Sequence, residues 1–258
     1  MNIQQLPIGF MDSGVGGISV LREAVKLLPN EKFIYYGDSQ NAPYGIKTDV
    51  QIRKLTFNAV EVLRQKPVKA IVIACNTATS VAINDLRIRY QDMPIIGIEP
   101  AVKPAIKISH NQKILIMATP MTLKREKFFN LVERYADADQ VLPLACPGLV
   151  ELIEQGQING AKVQKFLNDL LKPYLQEKIS VVVLGCTHYP FIKKALQEIL
   201  PQTTAVIDGS LGTVNQLRNQ LQEKNLLNNS ESQGTVEIIN SKADERLIML
   251  SKKLLAMQ

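Results

Sequence analysis

Tryptophan is absent from the 258 residues, and aromatic residues together make up only 5%. Nucleic-acid binders that stack bases gather aromatics beside a stripe of basic residues. Here 30 Lys and Arg are interspersed with 24 Asp and Glu, as in LKREKFF and LREAVKLLPNEK, so the net charge of +6 reads as a solvated surface. No nucleic-acid partner is expected, although such a field would attract a small anionic substrate. No apolar run nears the ~20 residues that a membrane span requires, so no membrane partner is expected either. The opening MNIQQLPIGF has no basic segment followed by an apolar one, so export is not expected and a cytoplasmic location is the default. Cysteine is scarce: Cys75, Cys146 and Cys186 form an odd, sparse set, which excludes a disulfide framework. With no CxxC pair, and only His110 and His188 available, no metal site is expected.

What is present is a repeating alternation. Hydrophobic residues make up 46% of a chain long enough for one large domain or two small ones. Short apolar runs predict strands at 8–12, 32–38, 70–75, 94–98, 113–119, 140–146, 179–186, 204–208 and 235–239. Between them SVLREAVKLL, VQIRKLTFNAVEVLRQ and AKVQKFLNDLLKPYLQ space apolar residues three and four apart, which predicts helices. Strand and helix in regular order indicate an α/β protein with mainly parallel sheets. The polar LQEKNLLNNSESQG (221–234) reads as a surface loop before a last strand and helix.

Two of the strands end alike. Residues 71–79 read IVIACNTAT and residues 181–190 read VVVLGCTHYP, placing Cys75 and Cys186 at strand ends 111 residues apart. This suggests two similar halves with one cysteine each. The boundaries fall near 98 and 207, giving residues 1–98 plus 207–258 as the first domain and 99–206 as the second. Ligands of open α/β sheets bind beyond the carboxyl ends of strands, so two facing domains would present two thiols to one cleft.

A lone buried cysteine is most often a small inert hydrophobe. Two in matching contexts, each flanked by Asn, Thr or His, call for chemistry. A thiol at a helix N-terminus loses its proton more readily than the ordinary ~8.5 allows. One thiol with His188 would suit nucleophilic catalysis, whereas two opposed thiols suit proton abstraction from one face of a carbon and return to the other. Cys146, in LACPGLVELIE, has no such partner and reads as structural. MDSGVGG (11–17) resembles a phosphate loop, but Ser19 stands where GxGxxG needs glycine and no Walker lysine follows. It remains a glycine-rich turn whose amides could hold any anion. In it Asp12 either caps the helix, itself or through Ser13, or polarises a catalytic group. YYGDSQNAPYG (35–45) is a strand end followed by a turn, and its sequence alone does not show whether Tyr44 faces a site.

MDSGVGG, YGDSQNAPYG, ACNTAT and LGCTHYP, in that order, resemble the glutamate racemases, cofactor-independent amino-acid racemases of the aspartate/glutamate racemase superfamily. The likeness runs from residue 8 to about 210. It implies two doubly wound α/β domains related by pseudo-twofold symmetry, with the active site in the cleft between them and no cofactor. It implies Cys75 as the base toward D-glutamate and Cys186 as the base toward L-glutamate, assisted by Asp12 and His188 respectively. It also implies that Asp12, Ser13, Tyr44, Gly45, Asn76, Thr77, Thr187 and His188 hold the substrate, with Glu154 close by. The family usually has bulkier residues and a second proline where this chain has Gly148, Leu149, Val150 and Glu151, which bears on side-chain selectivity. Aspartate racemases of the superfamily tend to carry Glu after the second Cys-Thr and His after the first CNTA, where this chain has His188 and Thr79. The expected function is thus supply of D-glutamate for peptidoglycan. The alternatives are a racemase of another acidic amino acid, such as aspartate, or a non-catalytic protein that binds an acidic metabolite. A homodimer is compatible with either reading.

Overall fold

The computed structural model describes residues 2–135 and 138–257. In chain order the strands are β1 (Ile8–Asp12), β2 (Phe33–Gly37), β3 (Ala70–Ile73), β4 (Ile95–Gly97), β5 (Lys113–Ala118), β6 (Val141–Ala145), β7 (Ile179–Leu184), β8 (Ala205–Asp208) and β9 (Val236–Asn240). The helices are α1 (Ile18–Leu27), α2 (Asp49–Arg64), α3 (Asn76–Arg89), α4 (Val102–Ser109), α5 (Pro120–Leu123), α6 (Glu126–Tyr135), α7 (Leu149–Glu154), α8 (Ala161–Leu171), α9 (Lys193–Gln197), α10 (Ser210–Glu223) and α11 (Glu245–Leu255).

The chain forms two compact units. One holds the residues up to Glu99 together with those from Ser210 onward, and the other runs from Pro100 to Gly209. The first contains a five-stranded sheet ordered β4-β3-β1-β2-β9, the second a four-stranded sheet ordered β6-β5-β7-β8. Every pairing in both is parallel. Counted from its own first strand, the second sheet repeats the order of the first without the added edge strand β9. In each sheet the strand order reverses at the first strand, which is where doubly wound sheets open a crevice at their carboxyl ends.

Burial explains the apolar runs. All residues of β1 and β3 are buried, as are the last four of β7, because helices cover both faces of these central strands. Each Ile or Val so enclosed contributes roughly 1.5–3 kcal/mol. The edge strands β6 and β9 bury only some of their residues. In the second unit Val102 and Ala105 of α4 pack on Ile114, Ile116, Val181 and Val183.

Local chemistry sets the helix ends. Thr48 accepts a bond from the Gln51 amide at 3.4 Å while its own amide donates to Gln51 Oε1 at 3.0 Å, a capping box that starts α2. The apolar spacing of AKVQKFLNDLLKPYLQ continues to residue 176, yet α8 stops at Leu171 and the chain passes into a short 3₁₀ turn at Lys172–Tyr174. Pro173 is the reason, since it lacks an amide proton and crowds the preceding turn. The segment expected to be loop from residue 221 is still helical to Glu223. Beyond it the Leu226 carbonyl accepts a bond from the buried Lys69 ammonium at 2.8 Å, which also pairs with Glu31 at 2.5 Å. Burial lowers the Lys69 pKa and Glu31 opposes that shift. This clasp lies before β2 and β3, at the end of the sheet opposite Cys75.

Candidate active site

The first group of polar residues gathers at the carboxyl ends of β1, β2 and β3. Cys75 leaves β3 with extended backbone and forms the N-cap of α3, its sulfur accepting from the Ala78 amide at 3.4 Å. The amide end of a 14-residue helix therefore faces the sulfur, which stabilises negative charge there. Ser13 Oγ lies 3.5 Å from the same sulfur. Asn76 and Thr77 follow in the first turn and are both buried, and the Asn76 Oδ1 acceptor has no hydrogen-bond partner among the described residues. An acceptor in that state suits an ammonium group.

Asp12 ends β1 and is buried. Its Oδ1 accepts from the Gly14 amide at 2.9 Å, closing a turn, and the N-cap of α1 is Gly17, which makes no side-chain cap bond. The amides of Ile18, Ser19, Val20 and Leu21 are engaged by the carbonyls of Val15, Gly16 and Gly17. The start of α1 is therefore not the open anion cradle that the glycine-rich turn suggested. Gly17 is required by close approach, because a Cβ there would lie 2.6 Å from Asp12 Cβ and 3.0 Å from Ala74 Cβ. Its absence lets Asp12 sit beside the start of the Cys75 turn.

Tyr44 is buried, and its hydroxyl donates to Asp38 Oδ2 at 2.7 Å. Asn41 Nδ2 donates to both oxygens of the same carboxylate, at 3.0 and 3.1 Å. Burial, then the charge and hydrogen bond of Asp38, then Cys75 and Asp12, raise the Tyr44 phenol far above its ordinary value, so it remains a donor. Gly45 shares its 3₁₀ turn. Asp38 went unnoticed in the sequence, although an acid one residue past β2, alongside Asp12 at the end of β1, was a usable signal. Tyr44→Phe should lower stability by about 1.5–3 kcal/mol, the usual range for a hydrogen bond to a charged group. Urea unfolding with an unchanged slope would measure it, and an unchanged midpoint would contradict the assignment.

The second group lies at the carboxyl ends of β6 and β7. Cys186 follows β7 as Cys75 follows β3. Its sulfur is 3.7 Å from His188 Nδ1, and His188 Nε2 is 2.7 Å from Glu154 Oε1 at the end of α7. His188 is buried. Burial works against the imidazolium, but the hydrogen bonds and charges of Cys186 and Glu154 outweigh it and hold the His188 pKa well above 6.5. Thr187, between them, is also buried. Cys146 is enclosed near this site, and burial, reinforced by the charge of Cys186, pushes its thiol up to about 12, consistent with an inert structural thiol. Tyr189, which the sequence reading passed over, donates to the Cys146 carbonyl at 3.4 Å. Gly148 adopts left-handed backbone (φ 86°) as the N-cap of α7, and Leu149 after it is buried. Thr79, read as a marker of selectivity, donates to the Ile73 carbonyl at 3.0 Å and packs in the core.

Among the described residues no group of three or more His, Cys, Asp and Glu could hold a metal ion, and no helix is long and apolar enough to cross a membrane.

Each unit thus places one cysteine, with polar side chains beside it, just beyond a central strand, the pattern of an acid–base enzyme. The Asp/Glu/Hydantoin racemase family pattern matches residues 8–217, and the chain belongs to that family of isomerases. It is 53% identical over 254 residues to the glutamate racemase of Clostridium perfringens, covering 98% of each chain. It is 55% identical over 258 residues to that of Clostridium botulinum (strain Loch Maree), covering 100% of each. Among solved structures, glutamate racemase from Francisella tularensis in complex with D-glutamate matches with a TM-score of 0.84 at 28% identity, over 99% of this chain and 95% of that one.

Proposed function

We propose that this chain interconverts L- and D-glutamate by two-base proton transfer without a cofactor, and that it supplies D-glutamate for peptidoglycan in the cytoplasm. The observation that carries the reading is the equivalence of Cys75 and Cys186 at the ends of β3 and β7, each with its own polar helpers. One fixed base cannot exchange a proton on both faces of an α-carbon, so racemisation needs one base per face. In the proposed reaction the Cys75 thiolate removes the α-proton of D-glutamate and Cys186 delivers a proton to the opposite face. The L-enantiomer runs the same steps in reverse. Ser13, Asn76, Thr77, Tyr44, Gly45 and Thr187 hold the carboxylates and ammonium group, and Asp12 and His188 assist the nearer thiol. The α-proton is weakly acidic, so preorganised donors around the carboxylate must lower much of the barrier.

Purified protein in heavy water with L-glutamate should lose the circular dichroism of the substrate while the α-proton signal disappears from the NMR spectrum. The same result should follow dialysis against a chelator and treatment with a carbonyl reagent that traps pyridoxal phosphate. Loss of activity after either treatment would refute cofactor independence. Racemisation of aspartate in place of glutamate would move the assignment to the neighbouring specificity.

A further inference from the structure

We propose that Asn240, at the end of the C-terminal edge strand, is a positioning residue that fixes the Asp38–Tyr44 arm beside Cys75. The inference rests on the two-base reading and adds to it a residue outside all four motifs. Asn240 is buried, and its Nδ2 donates to Ser39 Oγ at 2.9 Å while its Oδ1 accepts from the Lys242 amide at 3.0 Å. The next residue grips the same turn from the backbone side. The Ser241 amide donates to the Gly37 carbonyl at 2.9 Å, and Ser241 Oγ accepts from the Gln40 amide at 2.9 Å. Gly37, Ser39 and Gln40 are thus all held, and they flank Asp38 on both sides.

The turn is also pressed from the other face. The Asp38 amide donates to the Asp12 carbonyl at 2.9 Å. A Cβ on Gly37 would lie 2.5 Å from the Gly14 carbonyl oxygen and 3.3 Å from Asn240 Nδ2, so the strand end packs too closely there for any side chain. Asp38 is the N-cap of the Ser39–Asn41 turn, yet its carboxylate makes no cap bond there. It faces Asn41 and Tyr44 instead. An Asp at an N-cap ordinarily bonds the turn amides. With the Gln40 amide taken by Ser241 and Ser39 held by Asn240, the carboxylate is left to orient the phenol.

Asn240→Ala should lower kcat/KM roughly 10- to 100-fold, as expected for misplacement of a substrate-positioning arm. Because the arm belongs to the unit that carries Cys75, the loss should fall on the Cys75 proton transfer. The α-deuterium effect on kcat/KM should then rise with D-glutamate, where that step breaks the C–H bond. It should fall with L-glutamate, where that step only returns a proton from solvent. Ser39→Ala removes the partner atom and should do the same, and the double variant should be little worse than either single one. The Ser39 variant keeps the test available if Asn240→Ala does not fold. Wild-type kcat/KM in both variants, or a loss that tracks the folded fraction with unchanged isotope effects, would overturn the proposal. The handedness of elimination by the cysteine variants described below tests the two-base reading separately, so failure of one is not mistaken for failure of the other.

Discussion

Cys75→Ser and Cys186→Ser should each lose racemisation by about 10⁴-fold, the upper range for removal of a positioned acid–base group. A serine hydroxyl ionises far above the ~8.5 of a thiol and is a very poor base at neutral pH. Folding should survive, because Ser is nearly isosteric and both positions offer the new hydroxyl a partner: the Ala78 amide and Ser13 at 75, and His188 at 186. A glutamate analogue with a leaving group on the β-carbon separates the two bases. It needs a single α-deprotonation, after which the electron pair expels the leaving group. Cys75→Ser retains Cys186 and should eliminate only from the L-analogue. Cys186→Ser retains Cys75 and should eliminate only from the D-analogue, whereas the wild type should consume both. The keto acid released from each enantiomer measures this directly. If both variants favoured one enantiomer, or either racemised glutamate at the wild-type rate, the two-base assignment would be lost.

The central strands were the plainest in the sequence because their burial is nearly complete, although the half-buried edge strands β6 and β9 were legible too. IVIAC and ISVVVLGC could be read as strands because helices cover both faces of β3 and β7, leaving continuous apolar runs. The end of α8 was less visible, since the apolar spacing carried on past Pro173. In the site, the two thiols stood out because their contexts match. The Asp12 carboxylate did not disclose its role, because a turn onto Gly14 and a cap on α1 look the same in sequence. The contacts that complete each half-site are tertiary: Glu154 reaches His188 across 34 residues and Asn240 reaches Ser39 across 201. No local pattern encodes such separations. The motif strings that named the residues were silent on which of them touch.

The second half-site makes the larger pH-dependent prediction. His188→Asn removes the imidazole between Cys186 and Glu154 and should cost about 10²- to 10⁴-fold in kcat/KM. Its isotope signature should mirror that of Asn240→Ala, rising with L-glutamate and falling with D-glutamate, because the slowed step is now the one at Cys186. Glu154→Gln is subtler. Burial alone would lower the His188 pKa, and Glu154 is one of the two groups that reverse this. Without its charge, the imidazolium that pairs with the Cys186 sulfur should persist only to a lower pH, so the alkaline limb of the rate profile should move down. Stability carries the same sign. A folded-state pKa raised above 6.5 stabilises the protein below that pH, and this contribution disappears as pH climbs through the raised value. Wild type should therefore exceed Glu154→Gln most in acid-to-neutral buffer, and the gap in urea midpoint should narrow toward alkaline pH. A gap independent of pH, together with an unmoved alkaline limb, would mean that Glu154 holds His188 by geometry alone and leaves its proton unaffected.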